Sequence, residues 1–239
     1  MRKYRFSAFM TGLLYLLGTV YGILSAVVGG EVVSSLVQAE PLLDVNILEI
    51  INDEPRRLHG GAFLVLLMGI SLMSMTLFLY PVFKKDNEEL ALGMIIFRGV
   101  MEGVWYLLTA LVIIGLFVLG KEYVVAVDSS VLESFGNILY NFQDLLGPIG
   151  TIFFLIGATC LYVSFYRTQL LPRWLTIWGF IGIVPYFAYA ILHLFRLDNG
   201  IGFYLQMILA PQEIVMALWL MIKGFNANKL DILLKKSVT

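Results

Sequence analysis

Apolar residues run through this chain in six long blocks, divided by short stretches where the charges collect. The blocks cover residues 7–28, 60–82, 90–119, 145–166, 174–195 and 201–222. Each approaches or exceeds the roughly 20 residues that a helix needs to cross about 30 Å of hydrocarbon. Six membrane-spanning helices are therefore predicted, because lipid leaves an unpaired backbone without a partner and a helix pairs its own. The blocks occupy more than half the chain, so residues 1–239 read as one transmembrane domain, an all-α polytopic bundle. The connections at 29–59 and 120–144 read as long outer loops.

Composition sharpens this picture. Hydrophobic residues make up 59% and charged residues 14% of the chain, with a mean hydropathy of +0.86. A soluble globular chain is nearer half apolar and a quarter charged. Soluble enzymes, nucleic-acid binders and disordered tails are excluded on that ground. The net charge of −1 adds little, since the placement of the charges matters more than their sum. Cys160 is the single cysteine, so no internal disulfide and no shared thiolate metal site is available.

Lys and Arg in the connections set the orientation. Arg2, Lys3, Arg5, Lys84, Lys85, Arg167, Arg173, Lys223, Lys229, Lys235 and Lys236 fall on one side, against Arg56, Arg57, Lys121 and Arg196 on the other. Eleven against four places both termini in the cytoplasm, with a bacterial plasma membrane as the expected location. The basic start and first apolar block imitate a secretory signal, but an apolar run of about 20 residues exceeds the usual 7–15 of such a signal.

In the first outer loop Glu31, Glu40, Asp44, Glu49, Asp53 and Glu54 alternate with apolar residues. That pattern predicts a short amphipathic helix on the outer surface, its apolar side toward lipid or bundle. The second loop has the capping-box spacing Ser130 to Glu133. Leu132, Phe135, Leu139 and Phe142 then recur at helical spacing, predicting a short helix that leads to a bend at Gly147–Pro148. Both loops are expected to cap the outer surface; a lid over an outward-facing cavity is the alternative.

Polar residues inside the spans are the functional candidates, because burying them in lipid is costly unless they are paired or hydrated. Arg98 and Glu102 stand four apart in the third span and share a face. Glu102 lies about 18 Å from Leu90 at 1.5 Å per residue, close to the midplane. Gly99 and Gly103 would let a neighbouring helix approach beside the charges. The sixth span carries Pro211, Gln212 and Glu213, and Glu213 also lies at mid-depth, about 18 Å from Ile201. Pro211 is expected to leave the carbonyl of Met207 free. Glu213 has no basic residue in its own span, so three states stay open. Arg98 reaches it, it carries a proton in an apolar setting, or it binds something.

A second polar group is expected near the outer side. Tyr186, Tyr189 and His193 follow one another at i, i+3 and i+7 in the fifth span, and His59 stands at the outer start of the second. With Asp53, Glu54, Asp144 or Asp198 the histidines would make a metal site, but no HxxxH or HExxH spacing occurs. Histidines that hydrogen-bond locally are the better reading, and no metal is assigned. No GxSxG turn, mid-span lysine, GxGxxG or P-loop appears, so no catalytic residue and no cofactor is assigned either.

Leu79, Tyr80, Pro81, Val82, Phe83 and Lys84, then Leu90, Ala91 and Leu92, then Phe97 and Arg98 through Glu102 together resemble a large, mainly bacterial group of membrane proteins. That group is DUF4386, a domain of unknown function. Leu171, Pro172 and Arg173, then Glu213, then Leu218, Trp219 and Leu220 up to Lys223 and Gly224 are similar to it as well. The resemblance implies a polytopic membrane protein without an assigned activity, whose charged motif positions correspond to Arg98, Glu102 and Glu213. Gln212 departs from the glycine expected before the glutamate.

Three functions compete on this sequence. The first is binding or transport of a small solute, a proton or an amphiphile at a mid-membrane cluster of Arg98, Glu102, Gln212 and Glu213. The second is an accessory role in which the cluster only locks the fold, and a membrane-protein partner or a second copy meets the loops or the Gly18–Gly22 face. The third is an intramembrane enzyme acting on lipid, with the carboxyls or His193 as acid or base. Under any of them the tail from Lys229 to Lys236 is expected to rest on anionic lipid. No nucleic-acid partner is expected.

Overall fold

A computed structural model describes residues 2–38, 42, 46–53, 55–197 and 201–236. The described residues are helical almost throughout, with no strand among them. In chain order the helices are α1 (Arg2–Gln38), α2 (Ile47–Asp53), α3 (Pro55–Phe83) and α4 (Glu88–Met94). A π-helical segment, Ile95–Met101, then runs straight into α5 (Glu102–Val125). α6 (Ser130–Thr168), α7 (Arg173–Leu194), α8 (Gly202–Gln206), α9 (Leu209–Ile222) and α10 (Ala227–Lys236) follow. Six of these runs are long and apolar enough to cross a membrane: α1, α3, α4 through α5, α6, α7, and the α8–α9 pair from Tyr204 on. The protein is a multi-pass membrane protein. Six crossings bring both ends of the chain to one face, here termed the terminal face; α2 lies at the opposite, loop face.

Glycines set the closest helix pair. A Cβ on Gly18 would come within 2.6 Å of Leu72, and one on Gly22 within 2.9 Å of Met68. At Gly61 it would meet the Cα of Gly29 at 2.8 Å. α1 and α3 therefore pack nearly backbone to backbone. The GxxxG face of α1 is consumed inside the chain and does not offer the external contact surface expected of it. α3 makes its other close approach at Gly99 and Gly103, where a Cβ would come within 2.9 Å of Thr76 and 2.5 Å of Met73.

α1 does not stop at the first predicted boundary. It kinks at Gly30 (φ 76°, ψ −167°), a backbone region that L side chains rarely adopt, and continues as helix to Gln38. The kink releases two carbonyls, and Arg57 of α3 takes both: Nε donates to Val28 O at 3.1 Å and an η nitrogen to Val27 O at 2.9 Å. The expected loop helix is α2, and its apolar side faces the bundle. Leu48 and Ile51 are buried, and they sit where Cβ atoms on Gly136 and Gly120 would be. Glu40, Asp44, Glu54 and Asp198 lie outside the described residues.

Three local expectations are corrected. The helix of the second outer loop does not end at a bend; α6 is continuous through Gly147 and Pro148. A proline removes only one backbone bond and membrane helices absorb such losses. The buried stripe of that stretch is Gly136, Tyr140 and Gln143, whereas Phe135 and Phe142 are exposed. Nor does Ser130 form a capping box: its hydroxyl and its backbone N–H both donate to Asp128 Oδ1, at 2.7 and 3.0 Å. Finally, the sixth span is interrupted at Met207–Ile208, so Pro211 falls in the first turn of α9. The break coincides with the missing proline N–H: residue 211 has none to offer the Met207 carbonyl.

Candidate functional site

The π-helical segment widens the third span where Arg98 sits, and π turns of this kind recur at functional sites. α6 crosses against it at Gly157, where any Cβ would come within 2.6 Å of the Cβ of Arg98. That close passage buries Arg98 completely and leaves its guanidinium to find partners inside the bundle. One η nitrogen forks onto Glu102, 2.8 Å from each carboxylate oxygen. The other donates to the Tyr15 hydroxyl of α1 at 2.7 Å and lies 3.5 Å from Glu213 Oε1 of α9. Tyr15 in turn donates to that same Glu213 oxygen at 2.5 Å. The Tyr106 hydroxyl hydrogen-bonds Glu102, and the ring of Phe154 covers the guanidinium at 4.3 Å.

Three spans far apart in sequence thus meet in one charged knot. Such a buried pair is strongly coupled, because water cannot screen it and removing one partner strands the other. The knot holds one guanidinium against two carboxylates. Exposure divides the carboxylates sharply: the side chains of Arg98 and Glu102 are 2% exposed, that of Glu213 is 16%. The opening beside Glu213 is a cavity of about 430 Å³. Its polar end is formed by the knot with Tyr106 and Tyr186, and its walls by apolar residues such as Ile23, Val27, Leu72 and Met207. Glu213 lies about 14 Å along α9 from Ile222 at the terminal face, near the middle of a hydrocarbon layer about 30 Å deep.

The remaining sequence candidates go elsewhere. Gln212, next to Glu213, faces away from the knot. It accepts from the Tyr162 hydroxyl at 2.6 Å and donates to Leu175 O at 2.9 Å, tying α9 to α6 and α7. His59, Tyr186, Tyr189 and His193 do not form one outer group. His59 packs on the ring of Phe117 at 3.8 Å, while Tyr186 lines the central cavity. The Tyr189 ring lies tilted beside His193 at 5.5 Å. His193 Nε2 stands 3.3 Å from Asp144 Oδ1, and the Arg196 guanidinium pairs with the other oxygen of the same buried carboxylate. Among the described residues no three His, Cys, Asp or Glu side chains converge as metal ligands would.

Asp144 is one of the four acids that the sequence offered to the histidines, and it meets His193, but its pairing with Arg196 and the role of Tyr15 had no mark in the sequence. A tyrosine in the first span looks like any belt or packing aromatic, and no periodicity links residues 15 and 213.

Residues 10–224 match the family described as a domain of unknown function, DUF4386. The chain belongs to that family. The matched DUF4386 region runs from the first span to the turn after α9 and contains Tyr15, Arg98, Glu102 and Glu213. No curated protein and no solved structure matches the chain.

Proposed function

We propose that this DUF4386 protein binds a small amphiphile in the central cavity, with Glu213 receiving a head group that carries positive charge or donates hydrogen bonds. The unequal exposure of the two carboxylates carries this reading. Arg98, Glu102 and Tyr15 bond one another in a buried knot and act as its frame, whereas Glu213 keeps Oε2 clear of any bond from the described residues and faces open space. With both carboxyls ionised the knot carries a surplus negative charge, which favours a cation or donor over an anion. A volume of about 430 Å³ suits a small ligand, within the roughly 300–1,000 Å³ usual for ligand pockets.

The apolar walls select an amphiphile over a free solute. Ile23, Val27 and Met207 line the cavity and are also exposed on the outside of the helices, so its mouth meets hydrocarbon. The interrupted sixth span keeps that mouth open: α8 leans on α7, with Gly202 against Tyr189, and the Trp178 indole holds the broken end by donating to Ile208 O at 3.0 Å. The basic terminal face fits the cytoplasmic side of a bacterial plasma membrane.

Dodecylamine, a single-chain cationic amphiphile, is a suitable probe in native mass spectrometry of the purified protein. The wild type should retain it, and Glu213→Gln should weaken retention at least tenfold while Glu88→Gln leaves it unchanged. Equal retention by wild type and Glu213→Gln, or none by either, would sink the proposal.

A further inference from the structure

At the terminal face a second pocket, of about 360 Å³, opens where three connections meet. They are the turn between α6 and α7, the end of α9 and the start of α10. The turn is held in shape by Gln169 in a left-handed conformation (φ 53°) and by Asn226, whose N–H donates to Leu170 O at 2.9 Å. Gly224 (φ 73°) reverses the chain after α9 and brings α10 back under the bundle. Arg173, Lys223 and Lys229 all line the resulting pocket, and among the described residues no carboxylate does. Three cations without an acid among them repel one another unless an anion lies between them.

The surroundings fix the depth of this pocket. The Trp219 indole forms part of its wall and meets Trp174 edge-on at 6.2 Å, a pairing typical of the aromatic belt at a membrane surface. α10 sinks Leu230 and Leu233 into the bundle and keeps Ile232 and Lys235 outside, so it lies across that surface. Of the other charges on this face, Asp86 pairs with Arg167 at 2.8 Å, and Arg5 donates to Met221 O and Ile222 O.

We infer that Arg173, Lys223 and Lys229 form a binding site for a phosphate group at the terminal face, supplied by an anionic phospholipid head or by a free phosphate. The site is separate from the central cavity and does not depend on the function proposed for it.

The test uses the purified full chain in neutral detergent and reads tryptophan fluorescence, since Trp219 lines the pocket. Dioctanoyl phosphatidylglycerol and inorganic phosphate are titrated separately. Near a membrane surface each Lys or Arg is worth about fivefold in affinity, so Arg173→Gln/Lys223→Gln/Lys229→Gln should weaken lipid binding roughly a hundredfold. Each single variant should weaken it about fivefold, which keeps the test decisive if the triple variant fails to fold. Arg2→Gln/Lys84→Gln/Lys85→Gln, equal in charge and on the same face, should bind as the wild type does. Saturable binding of phosphatidylglycerol alone identifies a lipid head, and equal binding of phosphate identifies a free anion. If the two triple variants weaken equally, or neither probe binds, the site does not exist.

Discussion

The Tyr15 hydroxyl donates to Glu213 and accepts from Arg98, so a single oxygen joins α1, the π-helical segment and α9. Arg98 depends on such neutral and charged partners because it is fully buried, and Glu102 depends on Arg98 in the same way. Removing the cation alone strands a carboxylate in the bundle. Arg98→Met should therefore destabilise the protein by about 3–5 kcal/mol, whereas Arg98→Met with Glu102→Leu should recover most of that loss. Reversible unfolding in mixed micelles of mild detergent and dodecyl sulfate measures both. Equal losses in the single and double variants would show that packing around Phe154, and not the charge pair, carries the effect. The i, i+4 spacing made the Arg98–Glu102 pair legible in the sequence. Its reach to Glu213 was one of three open states, and the closing partner, Tyr15, was not legible, because a contact across nearly two hundred residues leaves no periodic trace.

Helix ends show where local chemistry prevails over pattern. The first turn of α6 is held by Asp128, whose carboxyl is kept below the ordinary aspartate range first by the Ser130 hydroxyl and then by the Ser130 backbone N–H. A depressed carboxyl contributes stability in full above the ordinary aspartate value and loses it as pH falls below that value through its own lower one. Lowering the pH from about 5 to about 3 should accordingly fray the start of α6, given an ordinary aspartate value of about 3.9. Hydrogen exchange of amides 130–134, corrected for intrinsic rates, should show protection falling over that window. Asp128→Ala should lack the protection throughout. The same residues illustrate what pattern reading misses. Ser130 and Glu133 have capping-box spacing, yet an aspartate two positions upstream captures the serine first. Likewise Pro148 and Gly147 look like a bend, but a 39-residue helix runs through them, because neighbouring turns hold the backbone that the proline leaves short.

At the scale of the molecule, length and hydrophobicity were sufficient. Six apolar blocks became six spans, since the hydrocarbon thickness imposes a length that no local preference overrides. The first span kinks at Gly30, the third passes through a π-helical segment, and the last is interrupted beside the cavity. With six crossings, a reporter enzyme fused at the N-terminus and one fused at the C-terminus should report the same compartment. By the distribution of Lys and Arg that compartment should be the cytoplasm. Opposite results at the two ends would mean that one apolar helix does not cross. What the blocks could not reveal is how they are arranged around one another. That arrangement is written in glycines: Gly18, Gly22 and Gly61 bring α1 onto α3, and Gly157 brings α6 onto Arg98. A glycine in a membrane segment is common enough that its partner cannot be named from sequence.

The π-helical segment Ile95–Met101 has a consequence for how this protein tolerates change. A π turn holds one residue more than an α turn, so it takes up an added residue inside an otherwise regular rod. Deleting one residue within it would let the helix close into ordinary α geometry. Because the wide turn has already absorbed that residue, α4 and α5 would keep their facing, and only the side chains of the segment itself would re-seat. A residue lost from the regular part of α5 would instead turn everything beyond it by about 100° relative to what precedes it. One codon missing between Glu102 and Tyr106 would therefore part those two side chains, whereas one missing from the wide turn would leave them on a common face.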